Sequence, residues 1–409
     1  MDISVVGGVY KEICGWPSHS AVLGSAGRAA LCLSQLDENI DVKLFSKISE
    51  SDETGLRKGF AFNSNCSLEL EYTDSTVSFD YFHPLSEPKI NNNQSNKSLE
   101  KFTPSVGKEA HCVLFGMIET TPMVNCKTLI YDPQNTYSPV LLSDAGCKAQ
   151  TVIYIVNENE LNILTKKCPQ EFVSVEDKAK WLKTTENASV VVVKCGRFGA
   201  FVLDGNSRGW VHPFKTDTVF PIGSGDSFVA GFAYYWLVKN DTAIVAAQKA
   251  SVVTAYYVSH KTLCNHKDLD DYGQQLIELR EAASEKTVYL AGPFFTLAEL
   301  WMVNEAKYFI ESFGMEVFSP YHDVGIGSAE QVVQKDIDAI HDCDVMYAIF
   351  DGNDPGTLFE IGYARSLNKP VVVLSQNPKS EDLKMYEGSG CCIVDDFASS
   401  IYLLSWISK

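Results

Sequence analysis

The chain has 409 residues, of which 45% are hydrophobic and 21% charged, and its formal net charge is −18. This length is ample for two domains, and the composition is that of a chain able to bury hydrophobic cores. The negative charge repels phosphate backbones, which argues against a nucleic-acid polymer as partner. We expect the first residues to form a buried strand rather than a secretion signal, and no apolar run is long enough to predict a membrane helix. We therefore expect a cytoplasmic protein with small-molecule partners and no membrane partner.

The 12 cysteines are scattered along the chain. They form no Cys-x-x-Cys pair and show no metal-ligand spacing with histidine. We expect reduced thiols, many of them in the core, rather than a disulfide framework.

Short β-branched segments alternate with amphipathic segments through the first two thirds of the chain. This alternation predicts an α/β domain with a mostly parallel sheet covered by helices. The predicted strands are residues 3–6, 42–45, 112–115, 128–131, 152–156, 189–194 and 200–203, and two of the predicted helices are residues 26–35 and 158–165. Apolar and polar residues alternate over 67–82, which favours a solvated antiparallel flap. A helix over 274–284 is expected to close this domain, so we predict domains over 1–284 and 285–409.

The last third of the chain alternates in the same way on a smaller scale. The predicted strands are residues 288–291, 316–318, 345–350 and 371–375, and the predicted helices are residues 297–312, 329–343 and 357–367. This order predicts a small, doubly wound parallel α/β domain. Ligands of such sheets bind beyond the carboxyl ends of the strands.

The segment Asp354-Pro-Gly-Thr-Leu-Phe-Glu360 follows the apolar strand at 345–350. Thr357 is a suitable N-cap, and Glu360 three residues later would complete a capping box, so Glu360 could simply close the start of a helix. A second interpretation comes from its neighbours. Gly356 would let a substrate approach the backbone closely, and cleavage of an N-glycosidic bond requires a carboxylate beneath the anomeric carbon and an acid near the leaving base.

The motifs Val288-Tyr-Leu-Ala-Gly-Pro-Phe-Phe295 and Asp354-Pro-Gly-Thr-Leu-Phe-Glu-Ile-Gly-Tyr-Ala364, with Val317-Phe-Ser-Pro320, Asp336 and Lys369-Pro370 between and after them, resemble the nucleoside 2-deoxyribosyltransferase family. The resemblance implies a flavodoxin-like fold and a covalent glycosyl-enzyme formed by attack of Glu360 on C1′. It implies that Tyr289 positions that glutamate. Asp336 and Asp354 would contact base and sugar and assist proton transfer, with Gly292, Pro293 and Gly356 beside the substrate.

Three properties of this domain stay open on the sequence. The acceptor that removes the sugar is either another nucleobase or water. Nucleosides are favoured over nucleotides, because the segment after Pro293 lacks a serine- and arginine-rich phosphate loop. The resemblance also implies a homo-oligomer and no cofactor for this domain, although residues 386–409 offer no evident residue for a neighbouring subunit's site.

The strongest motif of the first domain is Ile222-Gly-Ser-Gly-Asp226-Ser-Phe-Val-Ala-Gly231. Gly223, Ser224 and Gly225 would expose backbone N–H groups at a helix start, where they could hold the negative charge of a transferring phosphate. Asp226 would take the proton of an acceptor hydroxyl. The alternative is a glycine-rich helix start with aspartate as an ordinary cap.

Other segments extend this pattern, namely Val5-Val-Gly-Gly8, Asn157-Glu-Asn-Glu160 and Lys194-Cys-Gly196-Arg-Phe-Gly199. Together with the glycine-rich motif they resemble the ribokinase-like (PfkB) family of carbohydrate and nucleoside kinases. The resemblance implies a ribokinase-like α/β domain with a small β flap and with ATP and Mg²⁺ as cofactors. Asp226 would be the catalytic base, Gly196 and Gly199 would lie near ATP, and Asn157 and Glu160 near Mg²⁺.

The sugar side of this domain departs from the family pattern. Arg28 stands where the family usually has asparagine, and Phe220-Pro-Ile222 replaces the usual residues before the glycine-rich motif. Arg28 could bind a phosphate or carboxylate of an altered substrate, or it could form a surface salt bridge. We therefore keep two hypotheses: a bifunctional enzyme of nucleoside and sugar metabolism, and a nucleotide-sensing protein whose kinase-like domain binds without turnover and controls a glycosidase.

Overall fold

The computed structural model describes residues 1–92, 101–135, 138–166, 168, 172–205, 207–280, 286–325, 327–377 and 380–407. The chain divides into two compact units. Unit 1 comprises Met1–Thr216 and Phe220–Arg280, and unit 2 comprises Asp217–Val219 and Glu281–Lys409. The predicted boundary between residues 284 and 285 lies outside the described residues and stays a prediction. Among the described helices, none is both long and apolar enough to span a bilayer.

The strands of unit 1 are β1 (Asp2–Val6), β2 (Lys11–Cys14), β3 (His19–Val22), β4 (Asp41–Ser49), β5 (Cys66–Thr73), β6 (Ser78–Tyr81), β7 (Lys89–Asn91), β8 (Lys101–Phe102), β9 (His111–Phe115), β10 (Thr121–Pro122), β11 (Asn125–Asp132), β12 (Lys148–Asn157), β13 (Val190–Lys194), β14 (Ala200–Asp204), β15 (Ser207–Val211), β16 (Phe214–Lys215) and β17 (Ile277–Glu278). Its helices are α1 (Gly24–Leu36), α2 (Glu50–Gly59), α3 (Leu142–Ala145), α4 (Glu158–Thr165), α5 (Val175–Thr185), α6 (Ser224–Ala233), α7 (Ala243–His260) and α8 (His266–Gly273). A 3₁₀ turn covers Gly196–Phe198, and a π-helical turn covers Tyr234–Val238.

Nine of the described strands form the main sheet in the order β15-β14-β13-β12-β11-β9-β1-β4-β5. All neighbours from β13 to β5 are parallel, and only β14 and β15 join in antiparallel fashion. The central strands are apolar runs with buried residues on both faces, as in Val190–Lys194, because helices cover a parallel sheet on both sides. The predicted mostly parallel α/β architecture is confirmed, and each predicted strand of this domain overlaps an observed one.

The small second sheet of unit 1 has the order β3-β2-β6-β7 and corresponds to the predicted flap. The assignment of residues 67–82 to the flap was wrong in part. The edge of the main sheet is formed by β5, which pairs in parallel with β4 from Val42↔Cys66 to Ser49↔Thr73, and only β6 belongs to the flap sheet. The alternation over β5 reflects the one exposed face of an edge strand, and such a pattern does not identify the pairing partner.

The helix predicted over 274–284 was also wrong where the chain is described. The helix lies earlier, at α8, where the side chain of Asn265 accepts from the N–H groups of Lys267 and Asp268. The chain then forms β17, which pairs with β16. Residues 281–284 of the predicted helix lie outside the described residues.

Unit 2 contains β18 (Thr287–Ala291), β19 (Glu316–Phe318), β20 (Val345–Ile349), β21 (Val371–Leu374) and β22 (Cys392–Val394), with α9 (Leu297–Ser312), α10 (Ala329–Asp342), α11 (Pro355–Ser366), α12 (Ser380–Gly388) and α13 (Phe397–Trp406). Its described strands run in the parallel order β19-β18-β20-β21-β22. This is the flavodoxin-like strand order, in which the site lies where the connections change direction. The predicted doubly wound domain is confirmed.

Candidate active sites

The start of α11 is held by Asp354. Its Oδ2 accepts from the backbone N–H of Thr357 at 2.7 Å and from the Thr357 hydroxyl at 3.0 Å. The capping role proposed for Thr357 is therefore wrong, because Asp354 is the N-cap and Pro355 the first helical residue. Gly356 leaves the space for this cap, since a Cβ there would lie 3.0 Å from Asp354 Oδ2. Glu360 lies too far into the helix to serve as its cap.

Glu360 faces β18, where the buried Tyr289 hydroxyl donates to Glu360 Oε1 at 2.7 Å. Burial is the largest cause that raises the pKa of Glu360, the nearby carboxylates of Asp336 and Asp354 add to the rise, and the resulting pKa is about 7. The hydrogen bond from Tyr289 opposes this shift because it stabilises the ionised carboxylate. Glu360 is thus a carboxylate with a fixed orientation that ionises near neutral pH.

Asp336 on α10 belongs to the same cluster, as its effect on the pKa of Glu360 shows. Its Oδ1 is buried and has no hydrogen-bond partner among the described residues, and burial raises the pKa of its carboxyl. A buried carboxyl oxygen without a partner is unfavourable unless a ligand supplies one. Asp338, two residues later, instead accepts from Gln334 at 2.7 Å on the exposed side of the helix.

Gly292 and Pro293 directly follow β18 and begin the loop that leads to α9. The next residue, Phe294, packs against Tyr321 with 5.3 Å between ring centroids. Tyr289, Glu360, Asp336 and Asp354 are thus brought together in unit 2, with the predicted loop continuing from the strand that carries Tyr289.

In unit 1 the glycine-rich motif forms the start of α6. Gly223 is the N-cap with a φ of +86°, and a Cβ there would lie 2.2 Å from Arg28 Nε, so only glycine fits. The N–H of Ser224 donates to Pro221 O at 3.0 Å. The following N–H groups of the first turn have no acceptor within the helix and remain able to bind an anion.

Arg28 is only 1% exposed, so the surface salt bridge considered for it is wrong. Its Nη1 donates to Asp226 Oδ2 at 2.9 Å and to Glu12 Oε1 at 3.0 Å, while its Nη2 pairs with the other oxygen of Glu12. Its Nε donates to the Tyr257 hydroxyl at 2.7 Å. The guanidinium therefore links α1 to α6 and to the flap strand β2, with its donors largely engaged.

Asp226 lies in the first turn of α6 and is buried. Its Oδ1 accepts from Gln134 Nε2 at 3.0 Å, and the same nitrogen lies 3.2 Å from Asp132 Oδ2. Burial raises the pKa of Asp226 to about 6, although Arg28 opposes the rise. The carboxyl has the basicity expected of a general base that works near neutral pH.

Asn157 and Glu160 form a reciprocal capping box at the start of α4, with bonds of 2.8 Å and 2.9 Å. Burial and the neighbouring Asp132 raise the pKa of Glu160, Lys194 opposes them, and the resulting pKa is about 7. Among the described residues, no group of three His, Cys, Asp or Glu side chains could hold a metal. Mg²⁺ that arrives with a nucleotide needs only one or two protein carboxylates, and Glu160 beside Asp132 fits that requirement.

Gly196 and Gly199 enclose the turn between β13 and β14. Gly199 has a φ of +87°, and a Cβ there would lie 2.0 Å from Val211 O, so the turn itself requires glycine.

Four residues of the unit 1 site were missed on the sequence: Glu12, Asp132, Gln134 and Tyr257. A fifth, Lys194, was quoted in a motif but was assigned no role. Asp132-Pro-Gln134 follows a predicted strand, which was a usable signal. Glu12 lies on a flap strand that was not predicted, and Tyr257 lies on a helix that was not predicted.

Substitution of Arg28 tests the buried network. Arg28→Met leaves Glu12 and Asp226 buried without their common cation, so we expect unit 1 to lose about 3–5 kcal/mol of unfolding free energy. Urea denaturation at pH 7 measures this loss. Arg28→Met combined with Glu12→Gln should lose less, because only Asp226 then remains without a cation. A loss below about 1 kcal/mol in the single variant would contradict the network.

Family comparisons match each unit separately. The nucleoside 2-deoxyribosyltransferase model matches residues 288–401, which include Tyr289, Asp336 and Glu360. The pfkB family carbohydrate kinase model matches residues 87–271, which include Asp226 but neither Glu12 nor Arg28.

The individual relatives are sugar kinases. A deoxyribokinase of Salmonella typhi is 26% identical over 132 residues, which are 32% of this chain and 42% of the relative, so the match spans about two fifths of that protein. The crystal structure of fructokinase from Vibrio cholerae O395 in its fructose, ADP and calcium ion bound form matches with a TM-score of 0.52 at 16% identity, covering 66% of this chain and 98% of the other. Ribokinase from Thermotoga maritima matches with a TM-score of 0.50 at 15% identity, covering 66% and 99%. The two structures establish a ribokinase fold. The chain thus contains a region that matches the pfkB family carbohydrate kinase model, followed by a region that matches the nucleoside 2-deoxyribosyltransferase model.

Proposed function

We propose that this protein is a bifunctional enzyme of nucleoside and sugar metabolism. Unit 2 cleaves or exchanges the N-glycosidic bond of (deoxy)nucleosides, and unit 1 transfers the γ-phosphate of ATP to a sugar or nucleoside hydroxyl. The observation that carries the first activity is the 2.7 Å bond between Tyr289 and Glu360, because it orients a half-buried carboxylate whose pKa is raised to about 7.

In unit 2, Glu360 attacks C1′ of the nucleoside, and the bond between C1′ and the base nitrogen breaks. The electron pair leaves with the base, and Asp336 in its protonated form supplies the proton that the base needs. Asp354 orients the sugar from the helix start. Water or a second base then attacks C1′ from the side that the first base left, its proton passes to the Asp336 carboxylate, and the bond between C1′ and Glu360 breaks. Configuration is therefore retained and the Glu360 carboxylate is released. Gly292, Pro293 and Gly356 border the substrate, and assembly as a homo-oligomer is part of the proposal.

In unit 1, Asp226 takes the proton of the acceptor hydroxyl while the hydroxyl oxygen attacks the γ-phosphorus. The free N–H groups that follow Ser224 at the Gly223–Ser224–Gly225 helix start stabilise the charge on the transferring phosphoryl group. Gly196 and Gly199 border the ATP, and Arg28 lies on the acceptor side. Glu160, oriented by Asn157, would hold Mg²⁺, which supplies charge neutralisation on the phosphates when bound. The similarity to a deoxyribokinase makes 2-deoxyribose the first acceptor to test.

A second candidate function is favoured by the ion pair of Arg28 with Asp226. A base held by a buried cation would suit a nucleotide-sensing domain that binds without turnover and regulates the glycosidase. This candidate predicts nucleotide binding without phosphoryl transfer to any acceptor.

Replacement of Glu360 tests the unit 2 activity. Purine and pyrimidine nucleosides and deoxynucleosides are incubated with the protein, alone and with a second base, and free or exchanged base is measured by liquid chromatography. We expect Glu360→Gln to reduce base release at least about 10³-fold, because it removes the nucleophile. Asp336→Asn should also reduce it, whereas the matched control Asp338→Asn should not. If the unsubstituted protein neither releases nor exchanges a base, the proposed unit 2 activity is wrong.

Replacement of Tyr289 tests the ionisation of Glu360. The rate of base release should rise with pH through about 7, because only the ionised carboxylate attacks C1′. Tyr289→Phe removes the hydrogen bond that lowers the pKa of Glu360, so the rising limb should move to higher pH. Rate measurements between pH 5 and 9, with saturating nucleoside, detect the move. An unchanged or acid-shifted limb would show that Tyr289 does not tune the nucleophile.

Replacement of Asp226 separates the two candidate functions of unit 1. ATP consumption is measured with 2-deoxyribose, ribose, fructose and nucleosides, and the phosphorylated product is identified by mass spectrometry. We expect transfer to at least one acceptor and a reduction of about 10²–10⁴-fold in Asp226→Asn, the usual range for loss of a general base. Nucleotide binding without transfer to any acceptor would favour the regulatory candidate.

A further inference from the structure

Strand β13 ends near the start of α6 on a lysine that begins one of the sequence motifs but has been given no role in the proposed reaction. Lys194 is the last residue of β13, and its side chain is largely buried. Its Nζ lies 3.3 Å from the point that a Cβ on Gly225 would occupy. The ammonium therefore packs directly against the loop at Gly223–Ser224–Gly225, on which the transferring phosphoryl group is expected.

The ammonium remains charged in this buried position because carboxylates surround it. It forms an ion pair with Asp132, which is 0% exposed. Burial lowers the pKa of Lys194, but Asp132, Glu160 and Asp226 outweigh this and raise it overall. A fixed cation beside free backbone N–H groups is the arrangement that binds phosphate oxygens.

A purely structural role would be complete with the Lys194–Asp132 pair. The contacts extend further, because Gln134 Nε2 lies 3.2 Å from Asp132 Oδ2 and 3.0 Å from Asp226 Oδ1. Lys194 is thus connected through two side chains to the proposed base. The same chain of contacts joins the ammonium to the carboxylate that is proposed to receive the acceptor proton.

We propose that Lys194 is a catalytic residue of unit 1 that contacts the nonbridging oxygens of the transferring phosphoryl group. This rests on the proposed phosphoryl transfer. The bond between the γ-phosphorus and the bridging oxygen breaks, and ADP leaves with its electron pair. A bond forms from the acceptor oxygen to phosphorus while its proton passes to Asp226. Lys194 keeps its proton, and Asp132 holds the ammonium in place before the phosphate arrives.

Calorimetric titration of the full chain with ATP, with Mg²⁺-free inorganic pyrophosphate and with adenosine tests this role without requiring the acceptor. We expect Lys194→Met to weaken ATP and pyrophosphate binding at least tenfold and to leave adenosine binding unchanged, because adenosine has no phosphate. Lys194→Arg should restore binding to within a few fold. Lys249→Met, which removes a half-exposed lysine paired with Asp241, is the matched control and should bind all three compounds normally.

Asp132→Asn provides a second test, which remains available if Lys194→Met does not fold. The two roles of Lys194, catalytic and purely structural, predict different changes in pyrophosphate affinity for this variant. If Asp132 competes with phosphate for the ammonium, its neutralisation should tighten Mg²⁺-free pyrophosphate binding. If the pair is only structural, binding should weaken or stay the same, which overturns the inference.

The outcomes also separate this inference from the proposed function. Normal ATP and pyrophosphate binding in Lys194→Met would overturn the role of Lys194 while phosphoryl transfer stands. If the unsubstituted chain binds neither ATP nor pyrophosphate, the kinase activity itself fails, and the role of Lys194 fails with it.

Discussion

The loss of water around a carboxylate at the end of a parallel sheet is the constraint on which both sites depend. Glu360 lies in the second turn of α11, which follows the apolar strand β20, and Asp226 lies in the first turn of α6. At both positions burial disfavours the ionised form of the carboxyl group. The pKa rises to about 7 for Glu360 and to about 6 for Asp226. A carboxylate in water is too weak a base to accept a proton well at neutral pH, so burial supplies the basicity that each proposed reaction needs.

In each unit a hydrogen-bond partner offsets the desolvation of the carboxylate, and the charge of that partner differs between the two units. In unit 2 the partner is the neutral phenol of Tyr289, so Glu360 keeps its full negative charge for an oxocarbenium-like sugar. In unit 1 the partner is the cation Arg28, and the charge of Arg28 is balanced again by Glu12. Because Glu12 lies on the flap strand β2, the state of the proposed base is linked to the position of the flap. An acceptor that displaces Glu12 would therefore change the environment of Asp226 as well.

The sequence was sufficient for features set by near neighbours in the chain. The bounds of α9 were predicted correctly because Thr296 and Glu299 form a capping box before a regular apolar pattern. It was insufficient where the partner is distant. The alternation over β5 indicates one exposed face, yet the choice of β4 as its partner depends on the assembled sheet. Arg28 and Asp226 are 198 residues apart, so neither the burial of Arg28 nor its pairing could be read from local sequence. The start of α11 shows that prediction from near neighbours also has a limit. Asp354 and Thr357 lie three residues apart and both residue types can cap a helix, and Pro355 as the first helical residue makes Asp354 the N-cap.

The presence of both regions on one chain bears on the acceptor of the unit 2 reaction. When a second base removes the sugar from Glu360, the product is again a nucleoside, and no free sugar forms. When water removes it, the product is a free sugar with a hydroxyl at C1, which is a neutral compound of the size that carbohydrate kinases phosphorylate. The two proposed reactions are therefore consecutive only with water as the acceptor. When a second base is the acceptor, the product of unit 2 is a substrate of unit 1 only if unit 1 phosphorylates the nucleoside itself. The identity of the phosphorylated product thus indicates which acceptor reaches Glu360, even without a direct measurement of the glycosidic step.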